Sequence, residues 1–207
     1  MMAATASMAG RYDTAVREVR VGRTSGRTSE DTRRLVLAAA AQAIRTHGTG
    51  ATLDRIADEA GISKGGLVYH FASKDQLLSA LAQEQFDAFR SEVEGQLSQV
   101  DGGPGRLVRA YIRASLIPQD ADELRERFAL ITQLLTVPSV LELARRDDIR
   151  WTEDLERDGV PEPVRVLVLA AADGFGGAPL WASGPPERVR EQLQRDLIAM
   201  VDRAVEG

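Results

Sequence analysis

Apolar residues recur at helical spacing along most of the chain. In the first such segment Leu35, Val36, Ala39 and Ala43 form one face, with capping residues ahead of it and Gly48 behind it. The same signals predict further helices at residues 52–60, 63–71, 73–97, 105–117, 121–136, 138–158, 164–183 and 187–204. No segment alternates polar and apolar residues between hairpin turns, as a strand would. The pattern therefore predicts an all-α fold.

The helical pattern is absent from the start of the chain. Residues 1–27 show no sustained apolar period, and their basic residues are Arg11, Arg17, Arg20, Arg23 and Arg27. We expect a flexible basic arm there. Residues 28–74 hold the first three predicted helices, and residues 75–207 hold the others, so the pattern predicts a small N-terminal domain followed by a larger helical one.

The composition narrows the possible chemistry. The 207 residues include no cysteine, which excludes a thiol nucleophile, an iron–sulfur cluster and a cysteine zinc site. They include only two histidines, which leaves few pairs of a nucleophile and a base. No glycine motif that cradles phosphate is present, since "GFGG" lies within a predicted helix. An all-helical enzyme therefore has little support, and we expect no catalytic residue, no cofactor and no metal.

No segment predicts a membrane partner. The longest unbroken apolar runs, residues 35–41 and 166–172, are far shorter than the roughly 20 residues that span a bilayer. Residues 1–10 have neither a basic leader nor an apolar core typical of an export signal. We therefore expect a cytoplasmic protein.

The formal net charge of -5 divides unevenly along the chain. Residues 1–75 contain 11 Lys and Arg against 8 Asp and Glu, whereas the remaining residues contain 15 against 23. A modestly basic front and an acidic body indicate that only the front would meet a polyanion.

The segment "GISKGGLVYHF" at residues 61–71 combines a helical apolar pattern with two glycines in its first turn. Gly65 and Gly66 each cost about 1 kcal/mol relative to alanine in a helix interior. A helix that brings its first turn against DNA would gain from this lack of bulk. With residues 52–60 before it and Gly61 between them, the segment predicts a helix-turn-helix whose second helix enters the major groove.

Polar side chains around this segment are suited to DNA. Lys64 supplies a positive charge, and Tyr69 and His70 supply hydrogen-bonding tips. Thr52 and Lys74 lie at the starts of neighbouring helices, where backbone amides favour phosphate. These residues form the predicted contact surface.

The stretch "TLDRIADEAGISKGGLVYHFASKDQLL", residues 52–78, resembles the DNA-binding signature of the TetR/AcrR family of bacterial transcriptional regulators. Val68 departs from the signature, since many members have Tyr there. The resemblance covers about residues 29–80, and it implies three DNA-binding helices, a ligand-binding second domain and a homodimer formed through the last two helices. The predicted function is a repressor that a small apolar effector releases from a double-stranded, palindromic operator. The predicted DNA-binding residues are Thr52, Ser63, Lys64, Gly65, Gly66, Tyr69, His70 and Lys74.

Large side chains in the middle helices are the candidates for an effector pocket. These ligand-binding candidates are Tyr111, Phe128, Leu134, Trp151, Phe175 and Trp181. Asp173 joins them because a carboxylate inside an apolar helix is expected to be buried and to need a cationic or donor partner. Three glycines at 174, 176 and 177, followed by Pro179, are expected to open space beside it. A surface position for Asp173 would count against this mechanism.

A second class of function stays open at this point. A DNA-binding architectural or division factor could use the same fold without any ligand. An apolar cavity in the second domain would favour the ligand-responsive regulator, and a filled core would favour the architectural factor.

Overall fold

The computed structural model describes residues 28–97, 102–180 and 186–206. These ranges form nine α-helices and no strand, which confirms the predicted all-α fold. The predicted basic arm at residues 1–27 lies outside the described residues. The helices are α1 (Ser29–His47), α2 (Leu53–Ala60), α3 (Lys64–His70), α4 (Lys74–Gly95), α5 (Arg106–Ser115), α6 (Ala121–Leu134), α7 (Pro138–Arg157), α8 (Glu162–Gly176) and α9 (Glu187–Glu206), with single 3-10 turns at Gly48–Gly50 and Ala178–Leu180.

Side-chain caps set the starts of the first four helices. Thr28 forms a capping box with Asp31: its hydroxyl accepts from the Asp31 amide at 3.1 Å, and its own amide donates to the Asp31 carboxylate at 3.2 Å. Thr52, Ser63 and Ser73 accept from the amides three residues ahead of them. Each cap satisfies an amide that the helix itself leaves free, so the N-termini follow from local sequence.

A first hydrophobic core joins α1–α4 to parts of α6 and α7. Phe71 and Leu67 from the α3 region are fully buried in it, together with Ile44 and Ile56. Leu134 of α6 belongs to the same core and is 1% exposed. The helices near the N-terminus therefore pack directly against helices from the second half of the chain.

A second core lies among α5, α7, α8 and α9. Its fully buried residues include Val108, Ile112, Val168 and Val201. Beside them, the buried guanidinium of Arg109 bonds the carboxylate of Asp202 on α9 at 3.1 Å. This ion pair compensates part of the cost of burying the charge.

Helix α8 ends earlier than the sequence predicts. The predicted helix at 164–183 is wrong beyond Gly176, because Gly177 forms a turn and Ala178–Leu180 form a 3-10 turn. Pro179 has no amide hydrogen to continue an α-helix. Residues 181–183 lie outside the described residues.

Gly176 lies where α8 comes very close to the end of α5. A Cβ atom added to Gly176 would be 2.7 Å from the carbonyl oxygen of Ser115. Glycine at this position therefore permits close helix packing, and it does not open a cavity.

We expect Gly176→Ala to lower the free energy of unfolding by about 1–3 kcal/mol, because α8 must move away from α5. Gly174→Ala is the matched control, since a Cβ there meets nothing within 4 Å. It should be neutral or should stabilise by up to about 1 kcal/mol. Urea denaturation of both variants at equal protein concentration measures the difference. Equal stabilities would contradict the close approach.

Candidate nucleic-acid interface and effector region

The turn between α2 and α3 depends on one glycine. Gly61 adopts φ 65°, in the left-handed region, and its amide donates to the carbonyls of Ala57 and Asp58. Ala57 is 1% exposed, so the two helices cross closely beside the turn. This geometry is the helix-turn-helix predicted from the sequence.

Gly65 and Gly66 leave part of the first turn of α3 without side chains. The hydroxyl of Ser63 accepts from the Gly66 amide at 3.0 Å, and a Cβ at Gly66 would come within 3.3 Å of that oxygen. Packing within the protein therefore accounts in part for Gly66. A Cβ at Gly65 would meet only Ser63, at an ordinary 3.9 Å. No contact inside the described protein requires glycine at 65.

The predicted DNA-binding side chains surround this turn. Tyr69 is 84% exposed, and half-buried His70 packs edge to face against it with ring centroids 5.3 Å apart. Val68, the departure from the signature, is 40% exposed. An open groove of about 640 Å³ runs beside them, lined by Thr32, Asp58, Gly61, Ile62, Ser63, Gly66, Tyr69 and His70.

Both lysines of the predicted surface already have partners in the protein. The ammonium of Lys64 donates to the carboxylate of Asp54 at 2.9 Å. The ammonium of Lys74 donates to the carbonyl oxygen of Thr49, in the 3-10 turn after α1. The sequence pattern gave no sign of the Asp54 contact, because the two residues lie ten positions apart on different helices.

The helix-turn-helix itself carries no excess of positive charge. Residues 28–75 contain six Lys and Arg and six Asp and Glu. The basic excess of residues 1–75 comes entirely from residues 1–27. Long-range attraction of a polyanion by the described surface is accordingly weak, and individual contacts matter more.

Two of the effector candidates lie together in an aromatic cluster. Tyr111 of α5 and Trp151 of α7 have ring centroids 5.4 Å apart. Phe89 of α4 joins them, at 5.3 Å from Tyr111 and 5.8 Å from Trp151. The guanidinium of Arg90 lies 4.1 Å over Trp151 and bonds Asp154 at 2.8 Å. Phe89 and Arg90 are not among the sequence-predicted candidates, because α4 has no local signal of a site at that end.

The other candidates are dispersed. Leu134 belongs to the first core, Phe175 packs against the second core, and Phe128 is 40% exposed on α6. Trp181 lies outside the described residues. The five candidates among the described residues therefore do not line a single pocket.

Asp173 does not have the buried position that the sequence predicts. The residue is exposed on α8, so the expectation of a buried carboxylate is wrong in the protomer. The carboxylate nevertheless lies against α5, where it accepts a hydrogen bond from the Tyr111 hydroxyl at 3.0 Å. Partial burial raises its pKa, and the hydrogen bond from Tyr111 opposes that rise. For Tyr111, burial and then the Asp173 charge raise the pKa of the phenol.

The expected space around Asp173 is not opened by the glycines. Gly176 faces the Ser115 carbonyl, and Gly174 faces the outside of α8. The effector mechanism that relied on a buried Asp173 beside a glycine-lined cavity therefore fails.

The chain matches two protein-family models. Residues 36–81 match a model described as bacterial regulatory proteins of the tetR family. Residues 105–202 match a model described as a tetracyclin repressor-like C-terminal domain. Together the two matches cover more than half of the chain.

Known proteins resemble this chain in sequence and in fold. The transcriptional repressor AcnR of Corynebacterium efficiens is 28% identical over 159 residues, which are 70% of this chain and 80% of AcnR. A transcriptional regulator from Pseudomonas aeruginosa PAO1 superposes with a TM-score of 0.67 at 18% identity, covering 89% of this chain and 95% of that one. The multidrug binding protein EbrR, crystallised with malachite green, gives 0.63 at 20% identity, covering 82% and 97%. These structural likenesses are evidence for the fold.

The raised pKa of Asp173 predicts a pH dependence of stability. The folded protein holds this proton more tightly than the unfolded chain, whose carboxyl has the ordinary value near 3.8. The stabilisation is therefore full below that value and is lost as pH rises through the folded pKa. Asp173→Asn should remove this loss, with a difference below about 1 kcal/mol because solvent screens an exposed carboxylate.

Chemical denaturation of the wild type and Asp173→Asn between pH 3.5 and 7 measures the effect. Tyr111→Phe is the companion variant, because losing its hydrogen bond should raise the Asp173 pKa further and widen the pH dependence. Parallel stability curves for the wild type and Asp173→Asn would contradict the prediction.

Proposed function

Because this chain belongs to the TetR family of DNA-binding bacterial transcriptional regulators, we propose that it is a homodimeric repressor that α3 anchors to a palindromic operator. A small molecule releases it from that operator. The observation that carries the proposal is the outer side of α3, which combines a bare Gly65 with the exposed side chains of Lys64 and Tyr69. A surface of this shape lets a backbone approach the floor of a major groove.

Two helix starts frame this surface. Thr52 caps the start of α2, and Lys74 is the first residue of α4. Amides in the first turn of a helix favour phosphate, so these starts would fix the protein on the DNA backbone while α3 reads the bases. Thr52 also caps α2, with its hydroxyl 3.3 Å from the Arg55 amide, and this role holds with or without DNA.

An exposed apolar surface on the last two helices supports a homodimer. Val166 and Leu167 of α8 are 58% and 54% exposed, and Val189 of α9 is 42% exposed. Ala170 lies on the same face of α8. The segment Glu162–Leu180 is even apolar enough, by length and composition, to cross a membrane. A second copy of the chain would cover this face and would place two α3 helices in successive major grooves, as a palindrome requires.

The sign of regulation and the effector are supported by the relatives. AcnR is named a transcriptional repressor, and EbrR was crystallised with malachite green. In the present chain, an aromatic effector would act at the cluster of Phe89, Tyr111 and Trp151. Helix α4 connects that cluster to Lys74 on the DNA side, so displacement of its far end would move its start.

The alternative functions have less support. The matching families are regulators, which favours neither an enzyme nor an architectural factor that acts without a ligand.

Removing single contacts tests the DNA surface. Lys64→Ala and Tyr69→Ala should each weaken operator binding by about 1–3 kcal/mol without unfolding the protein, since both side chains are exposed. Mobility shifts on a duplex enriched in vitro by the wild type measure the loss. Arg145→Ala, an exposed residue on α7, removes a positive charge elsewhere and should bind as the wild type does. Unchanged shifts for both test variants would reject the proposed surface.

A charge on the apolar face of α8 tests the dimer. Leu167→Glu should destabilise the dimer by about 3 kcal/mol or more, because the interface would bury two unpaired carboxylates. Ile149→Glu is the matched control, since Ile149 is 55% exposed on α7, outside the proposed interface. Sedimentation at micromolar concentration should find a dimer for the wild type and the control and a monomer for Leu167→Glu. A monomeric wild type, or an unaffected Leu167→Glu, would contradict this interface.

A further inference from the structure

An exposed ion pair spans the helix-turn-helix. Asp54 lies in the first turn of α2, Lys64 begins α3, and their charged atoms are 2.9 Å apart. The two side chains are 62% and 57% exposed. Pairs this exposed contribute only about 0–1 kcal/mol to stability. The fold has little need of this pair, so its consequence is to be sought in the function of the surface.

The pair places a carboxylate on the surface that the proposed function turns toward DNA. Asp54 lies two residues after Thr52, in the first turn of α2. Its negative charge competes with phosphate for the ammonium of Lys64. Attraction of any DNA regardless of sequence is thereby reduced.

We propose that Asp54 is a specificity-determining residue, which pairs with Lys64 and competes for it with the phosphates of non-operator DNA. This inference rests on the proposed function, because it requires α3 to bind DNA. A lysine ammonium has three donors, and Asp54 takes one. The other two stay available to acceptors on base edges, such as N7 and O6 of guanine, which only a suitable sequence presents.

Freeing Lys64 changes the balance between operator and other DNA. A free lysine follows the nearest phosphate, and each phosphate neutralised adds about 0.9 to the slope of log affinity against log salt. Two subunits would therefore steepen the slope for non-operator DNA by up to about 2. The described residues 28–75 have no net charge, so one lysine released per subunit changes the attraction of this surface for phosphate by a large fraction.

Asp54→Asn tests the proposal, because asparagine keeps the shape of the side chain and removes its charge. The probes are a duplex enriched by the wild type from a random pool and a scrambled duplex of equal length and composition. Glu59→Gln is the matched control, an equal change of charge at an exposed position of α2. Lys64→Ala and the double variant Asp54→Asn/Lys64→Ala complete a double-mutant cycle. Thermal unfolding of every variant checks that each is folded.

For Asp54→Asn we expect a rise of about tenfold in affinity for the scrambled duplex at low salt, with a steeper salt slope. Affinity for the enriched duplex should change less than threefold, so the ratio of the two affinities falls. Glu59→Gln should leave that ratio unchanged, and Asp54→Asn should have no such effect when residue 64 is alanine.

Other outcomes overturn the inference. An unchanged ratio for Asp54→Asn, an equal fall for Glu59→Gln, or a fall that persists in the double variant would each show that Asp54 does not act through Lys64. If Lys64→Ala binds the enriched duplex as the wild type does, the proposed contact fails as well. If the wild type enriches no sequence at all, the proposed function itself is rejected.

Discussion

Burial of Leu67 and Phe71 is the interaction on which the proposed DNA-facing surface depends. Helix α3 has only seven residues, and isolated helices shorter than about 12–15 residues are marginal in water. Two glycines in its first turn weaken it further. Leu67 and Phe71 are both fully buried in the first core, which also contains residues of α1, α2 and α4, and this packing holds the helix in place. Because the buried side holds α3 in place, the residues on its outer side are not needed for folding and can serve contacts with another molecule.

The same core connects this surface to the rest of the protein. Leu134 of α6 and Val140 of α7 are buried in it, so α3 is supported by helices far along the chain. At the start of α4, the Ser139 hydroxyl donates to the Asp75 carboxylate at 2.8 Å, next to Lys74. A shift of α6 or α7 would reach the DNA side through packed atoms and this bond. This physical continuity is what an effector-controlled regulator requires.

Electrostatics and apolar exposure divide the surface into two kinds of face. The helix-turn-helix is neutral as a whole, and its Lys64 is matched by Asp54, so affinity there depends on local geometry. The outer face of α8 is apolar, with Val166 and Leu167 exposed and Asp173 at its far end.

The sequence by itself determined where the helices begin and how α2 turns into α3, because these features depend on neighbouring residues. Thr28, Thr52 and Ser63 cap their own helices, and Gly61 supplies a left-handed conformation that L side chains rarely adopt. The signature at residues 52–78 also led to the correct family.

Only the tertiary structure decided which helix covers each face. Periodicity shows that one side of a helix is apolar, but it does not identify the neighbour that packs there. Leu134 proved to lie in the first core, Gly176 against Ser115, and Asp173 on the exposed side of α8. Phe89 meets Trp151 across 62 residues of sequence, and Lys64 meets Asp54 across a turn. Such contacts arise from the paths of whole helices, and no local pattern encodes them.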